Sequence, residues 1–169
     1  MHPTNRTFAP IEAFVEELVR CGMTHAVTSP GSRNAPLALT LAAQTGLEAV
    51  SVIDERSAGF VALGMAKAGG RPVAVTCTSG SAAANLHPAV VEAWEARVPL
   101  IVMTADRPPE LREVGAGQSI DQLKLYGSAV KWFVESAHTS PGARPPSTTA
   151  RSAAARSGRR AAAVPGRFT

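Results

Sequence analysis

Glu55, in Asp54-Glu55-Arg56, is a carboxylate placed where an extended run ends and a helical pattern begins. Such a group can hold or move a proton for a bound ligand; it can equally cap the following helix or pair with Arg56. Ser32 and Arg33 lie in a glycine turn, Ser29-Pro30-Gly31-Ser32, that leads into another helical pattern. Backbone N–H groups and the positive end of a helix dipole favour an anion there, and a guanidinium binds a carboxylate through two parallel hydrogen bonds. The alternative is a capping serine beside a surface arginine. Arg107 can serve an anion or pair locally with Asp106 or Glu110, and Gln118 can serve a ligand or be an ordinary loop amide. Thr78, Ser79, Gly80 and Ser81 make a second glycine turn.

Something must bring these scattered positions together, and the hydrophobic periodicity supplies it. Ile11, Phe14, Val15, Leu18 and Val19 form one helical stripe, which Pro10 can begin and Gly22 can stop. His25 to Thr28 reads as a short strand, Asn34 to Thr45 as a helix with Leu37, Ala38 and Leu41 inward, and Leu47 to Ile53 as a strand. Ser57 is expected to cap a helix running to Ala68, apolar almost all round and therefore buried. A strand over Val73 to Cys77, a long helix to about Ala96 and a strand over Pro99 to Thr104 complete the pattern. Val- and Ile-rich strands without alternation, joined by helices, describe βαβ units around a parallel sheet. Ligands of such sheets bind at the carboxyl ends of the strands. Four segments are therefore expected on one rim: Ser29–Asn34, Asp54–Arg56, Thr78–Ser81 and Thr104–Pro109.

Several classes of chemistry find no support. The chain has no phosphate-binding Gly-x-x-x-x-Gly-Lys loop, and Gly115-Ala116-Gly117 lacks both the third glycine and the preceding strand of a dinucleotide site. With four His without ligand spacing and two Cys without a CxxC pair, no metal site is expected within this chain. Cys21 and Cys77 imply no disulfide framework; they read as core residues of a cytoplasmic protein. The start of the chain does not resemble a signal peptide, and no apolar run approaches membrane-spanning length. Trp94 and Trp132 read as core or interface anchors.

The net charge of +4 conceals a division. All 13 acids and 11 of the 17 basic residues lie in residues 1–135, which are therefore slightly acidic. The remaining six, all Arg, lie in 136–169 among Ala, Ser, Pro, Thr and Gly, with no Asp, Glu or Lys. That segment has no stripe able to offset its ordering entropy, and disorder is expected over it. Its composition is also what GC-rich codons give in a displaced reading frame; a genuine basic tail or a nucleic-acid- or membrane-binding arm are the alternatives. The organisation read from the sequence is thus one domain over 1–135 and a tail over 136–169.

Five strings, in order, narrow the reading: Thr28-Ser29-Pro30-Gly31-Ser32-Arg33-Asn34-Ala35-Pro36-Leu37, Asp54-Glu55-Arg56-Ser57-Ala58-Gly59-Phe60, Thr78-Ser79-Gly80-Ser81-Ala82-Ala83-Ala84-Asn85, Thr104-Ala105-Asp106-Arg107-Pro108-Pro109-Glu110 and Gln118-Ser119-Ile120-Asp121-Gln122. Together they resemble the first domain of thiamine-diphosphate-dependent decarboxylases and synthases. Ser-Pro-Gly-Ser-Arg and Ala-Asp-Arg-Pro-Pro-Glu-Leu point within it to the 2-succinyl-5-enolpyruvyl-6-hydroxy-3-cyclohexene-1-carboxylate synthases of menaquinone biosynthesis. The likeness runs from about Phe8 to Glu135.

The resemblance implies an α/β, parallel-sheet three-layer sandwich that binds the cofactor's pyrimidine. It implies that Glu55 hydrogen-bonds the pyrimidine N1′ atom and so promotes formation of the thiazolium carbanion, a task that suits a carboxyl group of raised pKa in a dry pocket. It implies that Ser32, Arg33, Arg107 and Gln118 face the substrates, 2-oxoglutarate and isochorismate. By the same likeness, Thr78, Ser79 and Gly80 let the backbone approach the pyrimidine or a partner subunit. The family's diphosphate is held by Mg2+ or Mn2+ in a separate carboxyl-terminal domain carrying a Gly-Asp-Gly string, which this chain lacks. Homodimers or larger assemblies follow from the cofactor's position between subunits, with no nucleic acid or membrane involved. The chain alone is expected to be inactive.

Overall fold

The computed structural model describes residues 8–135, and a strand over 162–166. Helix α1 (Phe8–Arg20) leads into β1 (His25–Thr28), α2 (Ala35–Ala43), β2 (Glu48–Ser51) and α3 (Glu55–Gly69). Next come β3 (Val73–Cys77), α4 (Ser81–Asn85), α5 (His87–Glu95) and β4 (Leu100–Ala105), and β5 (Ala162–Gly166) closes the series. The five strands lie in the order β2-β1-β3-β4-β5, every neighbouring pair parallel.

A sheet covered on both faces explains why the strands carry apolar residues without alternation. Val27, Val73, Val75, Cys77, Leu100 and Val102 point to one face, where α3, α4, α5 and Tyr126 cover them. Ala26, Ala74, Ile101 and Met103 point to the other, against Ile11, Phe14, Val15 and Leu18 of α1 and Leu37 and Leu41 of α2. The result is the three-layer α/β arrangement expected. The chain moves from β1 outward to β2, then crosses to β3 on the other side of β1. This reversal leaves a crevice beyond the carboxyl ends of β1 and β3, the place where open α/β sheets receive ligands.

Cys77 is in the core as expected, but Cys21 is exposed just after α1, and local chemistry departs from expectation at four further places. Asp54, not Ser57, caps α3: its Oδ1 accepts the Ser57 N–H at 2.7 Å. The aspartate is extended and one residue outside the helix, the geometry an N-cap needs, whereas Ser57 is already in the first turn. Helix α3 is not buried all round. Ala58, Gly59, Ala62, Leu63 and Ala66 face the core, while Phe60 and Val61 remain exposed, as does Ile53 before the helix. The long helix expected after Gly80 is two helices broken at Leu86, because Pro88 has no N–H to offer the Ala84 carbonyl.

The fourth is β5, which falls in the segment expected to be without structure. Its backbone pairs along β4 from Ile101↔Ala162 to Ala105↔Gly166. The β4 edge presents a row of backbone groups, and pairing with it requires backbone, not a hydrophobic stripe; Pro165 is tolerable because β5 is itself an edge strand. The remainder of that expectation, over 136–161 and 167–169, lies outside the described residues.

Candidate functional site: a cleft at the strand ends

A cleft of about 350 Å³ opens at the reversal point. Its walls include Pro30, Gly31, Ser32 and Arg33 from the turn after β1, and Glu55 from the start of α3. Thr78, Ser81, Ala82 and Asn85 come from the β3–α4 corner, and Gln118 from the loop beyond β4. Five of the residues singled out in the sequence thus meet in one place: Ser32, Arg33, Glu55 and Thr78 as strand-end topology requires, and Gln118 as the resemblance implied.

Glu55 serves neither of the local roles open to it. Asp54 performs the capping, and among the described residues the Glu55 side chain has no hydrogen bond or ion pair, to Arg56 or to any other group. It is half-buried on the cleft wall, close enough to the sheet to act on Cys77. Burial, reinforced by the negative charge of Glu55, pushes the Cys77 thiol well up and keeps it neutral. The Asp54 carboxyl moves the opposite way, held below its usual range by its side-chain and backbone hydrogen bonding with Ser57. Two adjacent carboxylates therefore have different surroundings: one is engaged in its helix, the other is available.

The turn carrying Ser32 and Arg33 is fixed from behind. Asn34 is buried; its Nδ2 donates to the Ser29 carbonyl at 2.7 Å, and its Oδ1 accepts the Thr76 hydroxyl at 2.6 Å. Gly31 packs so close to Thr78 that an added Cβ would sit 2.6 Å from the Thr78 Cβ. The turns after β1 and β3 are consequently pressed together. Arg33 itself has a buried Nε without a hydrogen-bond partner. A guanidinium group with unmet donors on a cleft wall suits an anionic ligand.

The second glycine turn behaves differently from expectation. Thr78 lines the cleft, but Ser79 and Gly80 lie behind it, buried and satisfied within the protein. Ser79 Oγ donates to the Gln118 carbonyl at 2.8 Å, and the Gly80 N–H donates to Gln122 Oε1 at 2.9 Å. The close backbone approach permitted by Gly80 (φ +79°) is to the Gln118 backbone, where a Cβ would come within 3.1 Å. These two residues hold the wall; they do not form it.

Arg107 is not brought into the lining. Its backbone N–H donates to Asp106 Oδ1 at 2.7 Å, and the other Asp106 oxygen is taken by Arg112 at 3.0 Å. The Arg107 side chain does not pair with Asp106 or Glu110, and its buried Nε lacks a partner. Trp132 packs on the α1–α2 face of the core, in keeping with an anchor. Asn85 on the cleft wall, and Asn34 and Gln122 behind it, were missed as functional candidates although all three lie within the five strings. Among the described residues, no group of three or more His, Cys, Asp or Glu could hold a metal ion.

Comparison with known proteins gives a consistent result. Residues 11–125 match the family described as "Thiamine pyrophosphate enzyme, N-terminal TPP binding domain". The chain is 61% identical over 132 residues to the 2-succinyl-5-enolpyruvyl-6-hydroxy-3-cyclohexene-1-carboxylate synthase of Geobacillus thermodenitrificans, covering 78% of this chain and 22% of that protein. Identity to the synthase of the same name from Thermobifida fusca is 57% over 131 residues, 78% of this chain and 24% of the relative. With that of Listeria innocua it is 60% over 127 residues, 75% and 22%. The chain thus spans between a fifth and a quarter of the length of the curated relatives it matches. With the matched segment holding strands β1 to β4 and every wall of the cleft, the chain belongs to the thiamine pyrophosphate enzyme family and carries its N-terminal, cofactor-binding domain.

Proposed function

We propose that this chain is the pyrimidine-binding part of a synthase of menaquinone biosynthesis. The whole enzyme would decarboxylate 2-oxoglutarate and transfer the remaining four-carbon unit to isochorismate. The observation that carries the reading is Glu55: unpaired, half-buried, and on the same cleft wall system as Ser32, Arg33 and Gln118. Identity of 57–61% to synthases of that name supports the choice of substrates.

The lining fits an aminopyrimidine, whose ring nitrogens and amino group ask for a carboxyl group and neutral polar partners; Glu55, Thr78, Asn85 and Gln118 supply them. Bound thiamine diphosphate would provide the carbanion-stabilising chemistry that amino-acid side chains lack. Glu55 is assigned to hold a proton at the pyrimidine N1′ atom. Ser32 and Arg33 are assigned to substrate carboxylates, with Arg33 bringing an unsatisfied Nε. Gln118 supplies an amide to the same space. Arg107, which stands outside the lining, is assigned to the same substrates on the resemblance of its Ala-Asp-Arg-Pro-Pro string. Mg2+ or Mn2+ and the diphosphate belong to a part of the enzyme other than the described residues.

A homodimer or larger assembly in the cytoplasm completes the proposal. The exposed Ile53, Phe60 and Val61, near Glu55 in the chain, are apolar surface suited to a second subunit. No helix among the described residues is long and apolar enough to cross a membrane. The domain is assigned to residues 1–135, and the change of composition after Glu135 to a displaced reading frame, which nucleotide sequence past that codon would test.

The functional test is a graft. Residues 8–135 replace the matching segment of the Geobacillus relative, and turnover of 2-oxoglutarate with isochorismate is measured with thiamine diphosphate and Mg2+. The graft is expected to be active, and Glu55→Gln within it to lose about 100-fold or more in kcat, the scale of a lost acid–base group. A folded graft that binds cofactor yet prefers pyruvate as acceptor would overturn the substrate assignment. The chain by itself is expected to show no turnover.

A further inference from the structure

We propose that Gln122 is a positioning residue that sets the place of Gln118 in the cleft; its functional meaning rests on the reading of that cleft as a ligand site. Gln122 is 3% exposed and lies outside the cleft lining. Its Oε1 accepts the Gly80 N–H at 2.9 Å, while Nε2 donates to the Ala105 carbonyl at 3.0 Å and to Thr104 Oγ1 at 3.2 Å. One side-chain amide thereby joins the end of β4 to the turn after β3. A carboxylate could not make this set of bonds at neutral pH, because the Ala105 carbonyl needs a donor; an apolar side chain could make none of them.

Gln118 depends on that turn. Its backbone has φ +55°, a left-handed conformation uncommon in a residue with a side chain, so neighbouring contacts must hold it. Those contacts are Ser79 Oγ on its carbonyl and the bare face of Gly80 against its backbone. Gln122 fixes Gly80, and Gly80 with Ser79 seats Gln118. The linkage runs through hydrogen bonds between segments 17 to 42 residues apart, not through apolar packing.

The test uses the full chain. Gln122→Met keeps length and volume but removes every hydrogen bond. Amide exchange at Gly80 should accelerate about 10-fold or more relative to Val75 in the core of β3. The amide signal of Gln118 should shift, and affinity for thiamine diphosphate should fall about 10-fold, a contribution typical of an ordered polar contact. Gln122→Glu should resemble the wild type at acidic pH, where a protonated carboxyl can accept from Gly80 and donate to Ala105 or Thr104. At neutral pH the carboxylate can still accept from Gly80 but cannot donate to Ala105, so its effects should lie between those of the wild type and Gln122→Met. Asp106, paired with Arg112, and the exposed Asp121 are present in both proteins, so the profile is read as a ratio to the wild type. Thr104→Val, which removes one partner of Nε2, should give the same changes on a smaller scale and guards against a variant that fails to fold. Loss of melting temperature with unchanged Gly80 exchange and Gln118 signal, or a Gln122→Glu profile flat with pH, would make Gln122 a mere core filler. A wild-type chain that does not bind thiamine diphosphate would defeat the cleft reading instead, while the Gly80 and Gln118 signals would still decide the role of Gln122.

Discussion

Two groups of charged side chains sit near the strand ends, and they are built on opposite terms. In the first, Arg112 bridges Asp106 at 3.0 Å and Glu135 at 2.6 Å, and Asp106 also accepts the Arg107 N–H. In the second, Glu55 and Arg33 share a cleft wall with no protein partner for either side chain among the described residues. A buried charge is tolerated when its bonds are met within the protein, as for Asp106. Charges left open beside a cavity contribute nothing to folding and are explained by a ligand that meets them. The first group should therefore control stability, and the second should control binding.

Breaking the closed group should have the largest effect on stability. Arg112→Ala leaves Asp106 buried without its counter-ion and should cost about 2 kcal/mol, lowering the melting temperature by roughly 5–10 °C. Calorimetry checks this, and an unchanged melting temperature would erase the distinction between the groups. Gly31→Ala strikes the junction instead. Its Cβ would meet Thr78 at 2.6 Å; overpacking of this kind costs about 1–3 kcal/mol and should also weaken ligand binding by spreading the two turns. Chemical denaturation and a ligand titration of the same variant measure both effects.

The open group should respond differently. Glu55→Gln should change stability by less than about 0.5 kcal/mol, because it removes no bond within the protein. Smaller still is a pH effect at its neighbour. Asp54 has a folded pKa below its unfolded value, so its contribution is present above the unfolded pKa and disappears as pH falls through the folded one. The melting-temperature difference between wild type and Asp54→Ala should therefore shrink on acidification. Alkylation followed by mass spectrometry gives a last contrast: Cys21, exposed, should react in the folded chain, and Cys77, buried and held neutral, should not.

The strands and their glycine turns could be read from the sequence because local pattern determines them; His25–Thr28 and Val73–Cys77 match the expected bounds. The gathering of Glu55, Ser32, Arg33 and Thr78 followed from one topological rule, whereas Gln118 was legible only through the family resemblance. What sequence pattern left hidden depends on partners far along the chain. Asn34 reaches Thr76, Gln122 reaches Gly80, and Arg112 reaches Glu135, at separations of 42, 42 and 23 residues. No local signal tells a supporting amide from a contacting one, so nothing in the sequence marks the role of Gln122. The exposed side of α3 escaped for another reason: composition gives the apolar residues of a helix, but not whether its own chain covers them.

The most direct test of the central claim is a titration of the full chain with thiamine diphosphate, followed by backbone amide spectra of the wild type and Glu55→Gln. The cleft reading predicts wild-type binding near the millimolar range, about what a pyrimidine contact without its diphosphate partner can sustain, with shifts at residues 31–33, 55 and 118. In Glu55→Gln those shifts should require about 10-fold more ligand or vanish, while the melting temperature stays the same. Equal binding by the two proteins, or shifts confined to surfaces away from the strand ends, would contradict it.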